Sequence, residues 1–258
     1  MILSIFENQA KGIEREIYYF DLENYPDITE DELNCIFAFV KYEKSYGRET
    51  EIRCNDSNIL STINNAIVDP DFTKSIYMPK AVGFVYHATC INATCNIFSS
   101  GKLLSAAKVS GKTGIELAYD KQNSLWNDPA DYFEYIMFCN GDDTTGDYVV
   151  LSENPPNEED LLSGNFNAGI RFYIRYNDII RHPGYVFDGY HTVKVKDEIH
   201  LYDYLHSCIV PEQYKSKVKS FVPPKLSSRV HYLSQDNLSI SDWNGKVYNY
   251  VKNIDEGR

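Results

Sequence analysis

Apolar residues in this sequence come in short bursts separated by turn formers, and that spacing limits what the chain can build. Ile17 to Phe20, Thr50 to Arg53, Val82 to Tyr86, Tyr132 to Phe138, Asp147 to Leu151, Ala168 to Ile174, His191 to Val195 and Val230 to Leu233 are each short and rich in β-branched or aromatic residues. Each reads as a strand. Breaks such as Asn140-Gly141, Asn154-Pro-Pro-Asn157 and His182-Pro-Gly184 fall between them. Few long helical stretches intervene, so antiparallel pairing is expected rather than a parallel sheet wound by helices. The expected class is α+β, with two packed, mostly antiparallel sheets forming a cleft and short flanking helices.

At 258 residues, with 43% hydrophobic and 24% charged residues, the chain has enough apolar content for an ordinary core. The net charge of −12 counts against a free-standing nucleic-acid binder, which needs a basic face. Lys215, Lys217, Lys219, Lys225 and Arg229 form the one candidate basic cluster. The six cysteines show neither Cys-x-x-Cys spacing nor a histidine partner, so reduced thiols and no metal site are expected. The first residues lack the pattern of a signal peptide, and no apolar run has bilayer-spanning length. A cytoplasmic location follows as the expectation.

Asp69-Pro70-Asp71 and Pro79 mark a boundary. Residues 1–80 are expected to be an N-terminal α/β extension of unknown role, and 81–258 the main domain. In the extension, Thr29 followed by Glu32 forms a capping-box pattern for a helix from Glu30, and Asn58 to Ala66 suits a second helix. Glu158 to Leu162 suits a helical turn or two. Lys246 to Ile254 reads as a closing helix, with Ile240 to Trp243 before it as a capping segment and Trp243 as a packing anchor.

The stretch from Ala81 to Ala106, AVGFVYHATCINATCNIFSSGKLLSA, organises that main domain. A strand delivers His87 and Thr89 on one face to its carboxyl end. Thr94 or Asn92 then caps a short amphipathic helix that stops at Gly101. Read from pattern alone, His87 fills a polar notch or meets a small ligand. After Ser105, the Gly-rich basic turn Lys108 to Gly114 lacks the spacing of a phosphate loop.

This stretch resembles the first motif of the ADP-ribosyltransferases, in particular the DarT-like toxins and related PARP-type folds. There a strand ends in His-x-Thr or His-x-Ser and runs through Asn and a short helix into a Gly- and Leu-containing turn closed by Ser. His87, Thr89, Asn92, Ile97, Gly101, Leu104 and Ser105 carry the likeness. A second likeness is a Glu at the start of a strand, followed by apolar residues and an Ile-containing strand: Glu198, Ile199, Leu201 and Ile209-Val210. The resemblance covers roughly residues 84–211.

The resemblance implies an ADP-ribosyltransferase-like fold and transfer of ADP-ribose from NAD, used as substrate without a metal, to a macromolecular acceptor, protein or nucleic acid. By the same likeness Glu198 is the catalytic carboxylate. His87 fixes a ribose hydroxyl, Thr89 helps seat the carboxamide end, and Asn92 belongs to the same NAD site. Tyr135 stacks on the nicotinamide ring, with Tyr132 and Phe138 as competitors and Glu153 as the next carboxylate. DarT-like proteins carry a functional Arg after the first motif. This chain has none between Arg53 and Arg171, and Lys108, Lys112 or Lys121 replaces its bidentate fork only in part. Two rivals stand beside this reading: a non-catalytic binding or scaffold protein with the same fold, and an RNA 2′-phosphotransferase-like enzyme, which would need more basic residues.

Overall fold

The computed structural model describes residues 1–6, 12–14, 17–68, 83–120, 129–152 and 155–256. Lys121, Glu153, Asn154, Val82, Pro79 and the Asp69–Asp71 turn, all used above, lie outside the described residues. Among the described residues there are thirteen strands: β1 (Ile2–Phe6), β2 (Gly12–Glu14), β3 (Ile17–Asp21), β4 (Glu51–Cys54), β5 (Phe84–Thr89), β6 (Lys102–Leu104), β7 (Tyr135–Asn140), β8 (Ile170–Arg175), β9 (Tyr185–Val186), β10 (Val193–Lys196), β11 (Glu198–His200), β12 (Leu205–Pro211) and β13 (Val230–Leu233). The chain is mixed α+β and divides into two compact units. The first holds residues 1–80, 105–135 and 186–194, and the second 81–104, 136–185 and 195–258.

In the first unit the strands run β2-β3-β1-β4. β1 pairs in parallel with both β3 and β4, and only β2 with β3 is antiparallel. This sheet therefore departs from the expected antiparallel pairing. The helix Glu30–Ser45 connects β3 to β4, the two parallel neighbours of β1, and the helix Ser57–Val68 follows β4. Thr29 caps the first of these with the expected box: its hydroxyl accepts from Glu32 N, and the Glu32 carboxylate accepts from Thr29 N at 2.7 Å. Leu3, Ile5, Tyr18, Ile36, Phe39, Ile59 and Ile63 form the buried interior, with the Tyr18 and Phe39 rings edge to face at 4.3 Å.

The larger sheet, most of whose residues belong to the second unit, has seven strands in the order β13-β12-β8-β5-β7-β10-β9. β5 is antiparallel to both β8 and β7, β8 is antiparallel to β12, and β12 with β13 is parallel. A separate pair, β6 with β11, is antiparallel. On one face Phe84, Tyr86, Tyr173 and Ile209 meet Trp243, Val247 and Val251 of the closing helix Ile240–Glu256. On the other, Phe172 meets Phe98 of the helix Ile91–Ser100 with ring centroids 5.4 Å apart. Trp243 is fully buried, as its anchor role required.

Several elements differ from the sequence expectation. Asp147 to Leu151 is not a strand but part of a helix, Thr145–Leu151. The Asp143 carboxylate accepts from Thr145 N at 2.8 Å at its start, and the helical turn carries Asp147 to a buried arginine while Val149 stays exposed. Tyr132 sits in the short 3-10 turn Ala130–Glu134, and the strand begins only at Tyr135. The closing helix starts at Ile240 rather than Lys246, because the Ser239 hydroxyl accepts from Asp242 N at 3.1 Å. The helix after His87 is entered from Cys90, neither Asn92 nor Thr94 being its cap. Thr94 is buried one turn in, where its hydroxyl donates back to Cys90 O at 2.9 Å.

Candidate functional site

β5 is an interior strand of the larger sheet, and its register places Phe84, Tyr86 and Ala88 on the closing-helix face. By alternation Val85, His87 and Thr89 share the opposite face. His87 is half-buried, and its Nδ1 lies 3.1 Å from Met137 O. A carbonyl only accepts, so Nδ1 carries the proton. Burial pulls the imidazole pKa down, against the opposing effect of that hydrogen bond, so the ring is neutral at neutral pH. Its Nε2 is then an acceptor, suited to a hydroxyl donor.

The sheet hands the chain from Thr89 into the helix Ile91–Ser100, with Asn92 exposed on its first turn. Gly101 closes that helix in the left-handed region at φ 70°, its N–H donating to Ile97 O at 2.8 Å. A Cβ at Gly101 would stand 3.0 Å from the Tyr202 ring, so conformation and contact both ask for glycine. β6 follows at once. Its register opposite β11 sets Glu198 across from Leu104, Ile199 from Leu103 and His200 from Lys102. Leu103 and Ile199 point inward and are buried.

The outward face of this pair holds a charged cluster. Lys102 Nζ lies 2.8 Å from Glu198 Oε1, and His200 Nε2 lies 3.3 Å from the same oxygen. The hydrogen bond from Lys102 holds the Glu198 carboxyl below the usual carboxylate range, so it is ionised at neutral pH. Glu198 remains open to solvent, with 39% of its side chain exposed. Its backbone aim is set by Asp197, a left-handed residue at φ 65° that alone links β10 to β11. His87, Thr89, Asn92 and Glu198 thus all belong to the second unit, on one continuous run of β5, helix and β6 plus the strand paired to it.

Tyr135 belongs to the first unit, where its ring is 7% exposed. Its hydroxyl pairs with Tyr46, and Lys194 Nζ sits 4.6 Å from its ring centroid. Lys194, fully buried, is also 4.1 Å from the Tyr42 ring, 3.9 Å from the Tyr132 ring and 3.1 Å from Asp188. Tyr135 and its competitor Tyr132 therefore form walls of a cation cage. Phe138, in the second unit, lies edge-on to His87 at 6.0 Å. Ser105 caps the helix Ala106–Ser110, accepting from Lys108 N at 3.3 Å.

Sequence reading did not foresee two buried clusters. One is this cage, which also holds Asp188, His191, Tyr18, Asp131 and Arg48. The other centres on Arg171, whose guanidinium forks onto Asp147, donates to Asn244 Oδ1 at 2.7 Å and to the Tyr173 hydroxyl at 3.0 Å, and lies over the Tyr86 ring. Arg171 is therefore committed to internal partners. The one signal in the sequence was an arginine inside an otherwise apolar strand. All six cysteines are free thiols, and burial pushes Cys139 up to about 12. Among the described residues no group of His, Cys, Asp or Glu is arranged to hold a metal ion, and no helix is long and apolar enough to cross a membrane. No family model, curated protein or solved structure matches this chain.

Proposed function

We propose that the second unit has an ADP-ribosyltransferase-like fold and cleaves NAD at its nicotinamide glycosidic bond, passing ADP-ribose to a macromolecular acceptor. The observation that carries this reading is the β6–β11 pairing: it ties the end of the His87 motif to the strand that begins with Glu198. Two stretches almost a hundred residues apart in sequence are thereby joined backbone to backbone.

The chemistry asks little of the protein. As the bond from C1″ to the nicotinamide nitrogen breaks, its electron pair stays with the ring and neutralises the pyridinium. Positive charge develops on the ribosyl carbon and ring oxygen. Glu198, kept ionised by Lys102, supplies the negative charge that stabilises this state. An acceptor hydroxyl, amine or water then adds to C1″ and releases its proton to solvent. His87, neutral and with an acceptor Nε2, holds a ribose hydroxyl. Tyr135 takes no part in this reading, because its ring is engaged in the cage of the first unit.

The Lys102–Glu198 ion pair also favours a second reading, a protein that binds NAD or an ADP-ribosyl group without turnover, since a carboxylate already neutralised by an ammonium is a weaker stabiliser of a cation. Labelled NAD separates the two. Nicotinamide released by the wild-type chain and lost in Glu198→Gln supports the transferase. Binding without release supports the non-catalytic protein, and neither binding nor release sinks both.

A further inference from the structure

Between 215 and 229 the sequence KSKVKSFVPPKLSSR holds five cations and no carboxylate, in a chain of net charge −12. The segment is firmly placed, because Val218 and Leu226 are fully buried anchors. Lys217, Lys219 and Lys225 are exposed, whereas Lys215 is paired with Glu212 at 2.8 Å. Tyr202, Pro223, Pro224, Lys225, Leu226 and Arg229 line a groove of about 860 Å³ here. One guanidinium nitrogen of Arg229 donates to Leu205 O at 2.8 Å and Tyr202 O at 3.2 Å, which fixes its charge at the groove wall. Tyr202, 45% exposed, offers a ring to whatever enters.

We propose that this groove docks an extended acidic segment of a protein partner, with an apolar side chain of that segment seated on the proline and tyrosine surface. Charge complementarity chooses the occupant. Lys225 and Arg229 lie beside the apolar floor of the groove, so the fitting chemistry is alternating carboxylate and apolar side chains rather than anionic charge alone. A nucleic acid would need a basic track and stacking faces along its length. Here the positive segment is short, one aromatic ring lines the groove, and the remaining surface is that of an acidic chain. A second copy of this chain is disfavoured by its own net charge. The docking requires no turnover of NAD and stands apart from the function proposed above.

The test is fluorescence anisotropy with a labelled peptide of alternating glutamate and leucine at low salt. The full chain is expected to bind it. Replacing glutamate by glutamine in the peptide, or introducing Lys219→Glu with Lys225→Glu in the protein, should each weaken binding about tenfold or more. Both lysines are exposed, and an unchanged melting temperature checks that the variant is folded. No binding, equal binding of the glutamine peptide, or no effect of the double substitution would overturn the proposal. So would an oligothymidylate of matched charge binding as tightly as the peptide, or a salt-sensitive larger species in sedimentation, which would point to nucleic acid or to a second copy.

Discussion

Lys102 and Glu198 meet across the β6–β11 pair with their charged atoms 2.8 Å apart, the lysine three residues before the end of the first motif and the glutamate opening the second. If Glu198 acts on the transition state, Glu198→Gln keeps the shape and loses the charge. Nicotinamide release should fall by about two or more orders of magnitude while NAD affinity changes little. Single-turnover release with a parallel binding titration measures both.

The same pair sets a pH dependence. Lys102 holds the Glu198 carboxyl below its ordinary range, so the active ionised form persists to lower pH than for an isolated glutamate. Lys102→Met removes the larger cause of the depression and leaves that of His200, so the acid limb of the rate profile should move to higher pH. An unmoved limb would mean that another group controls it.

His87→Ala should weaken NAD binding about tenfold, as loss of one well-placed acceptor does, and leave the circular dichroism spectrum unchanged. Because burial lowers the imidazole pKa, wild-type affinity should stay flat upward from neutral pH, where the ring is already neutral. A thermal-shift titration with NAD follows both effects.

Asp147→Asn leaves the fully buried Arg171 guanidinium without its counter-charge. The expected loss in stability is about 3–5 kcal/mol, read by urea unfolding. Asp147→Leu combined with Arg171→Met should recover much of it, since an apolar pair of similar volume needs no partner.

In the first unit, burial alone would push the Asp188 carboxyl up, but His191 and Lys194 more than reverse this and hold it far below its usual value. A carboxyl with a depressed folded pKa contributes stability above its unfolded pKa and loses it as protons force their way on. The contribution of Asp188 to the unfolding free energy should therefore be constant near neutrality and decline below about pH 4. Asp188→Asn should be less stable at neutral pH and show a shallower acid decline.

What was legible in the sequence was local. The Thr29–Glu32 box and Gly101 depend on residues within one turn, and both stand where the sequence put them. Asp147 to Leu151 was misread because two valines outweighed an aspartate whose partner, Arg171, lies in another strand. β1 escaped notice although it lies between β3 and β4, since parallel neighbours leave no hairpin signal. Of the candidate site, the strand carrying His87 and Thr89 was readable from its residues. The engagement of Tyr135 with Lys194 was not, because nothing local connects positions 135 and 194.

Asp197 is the whole of the link between β10 and β11. Side chains in a strand alternate, so the parity of that link decides which residues of β11 face inward. One residue added or removed there would exchange Glu198 and His200 with Ile199, burying charge and exposing the apolar partner of Leu103. Point substitutions at 197 can be absorbed by the backbone, whereas a change of length cannot. Drift in this part of the chain is therefore confined to substitution, and related chains should keep the spacing from Lys196 to Glu198 even where the residues themselves differ.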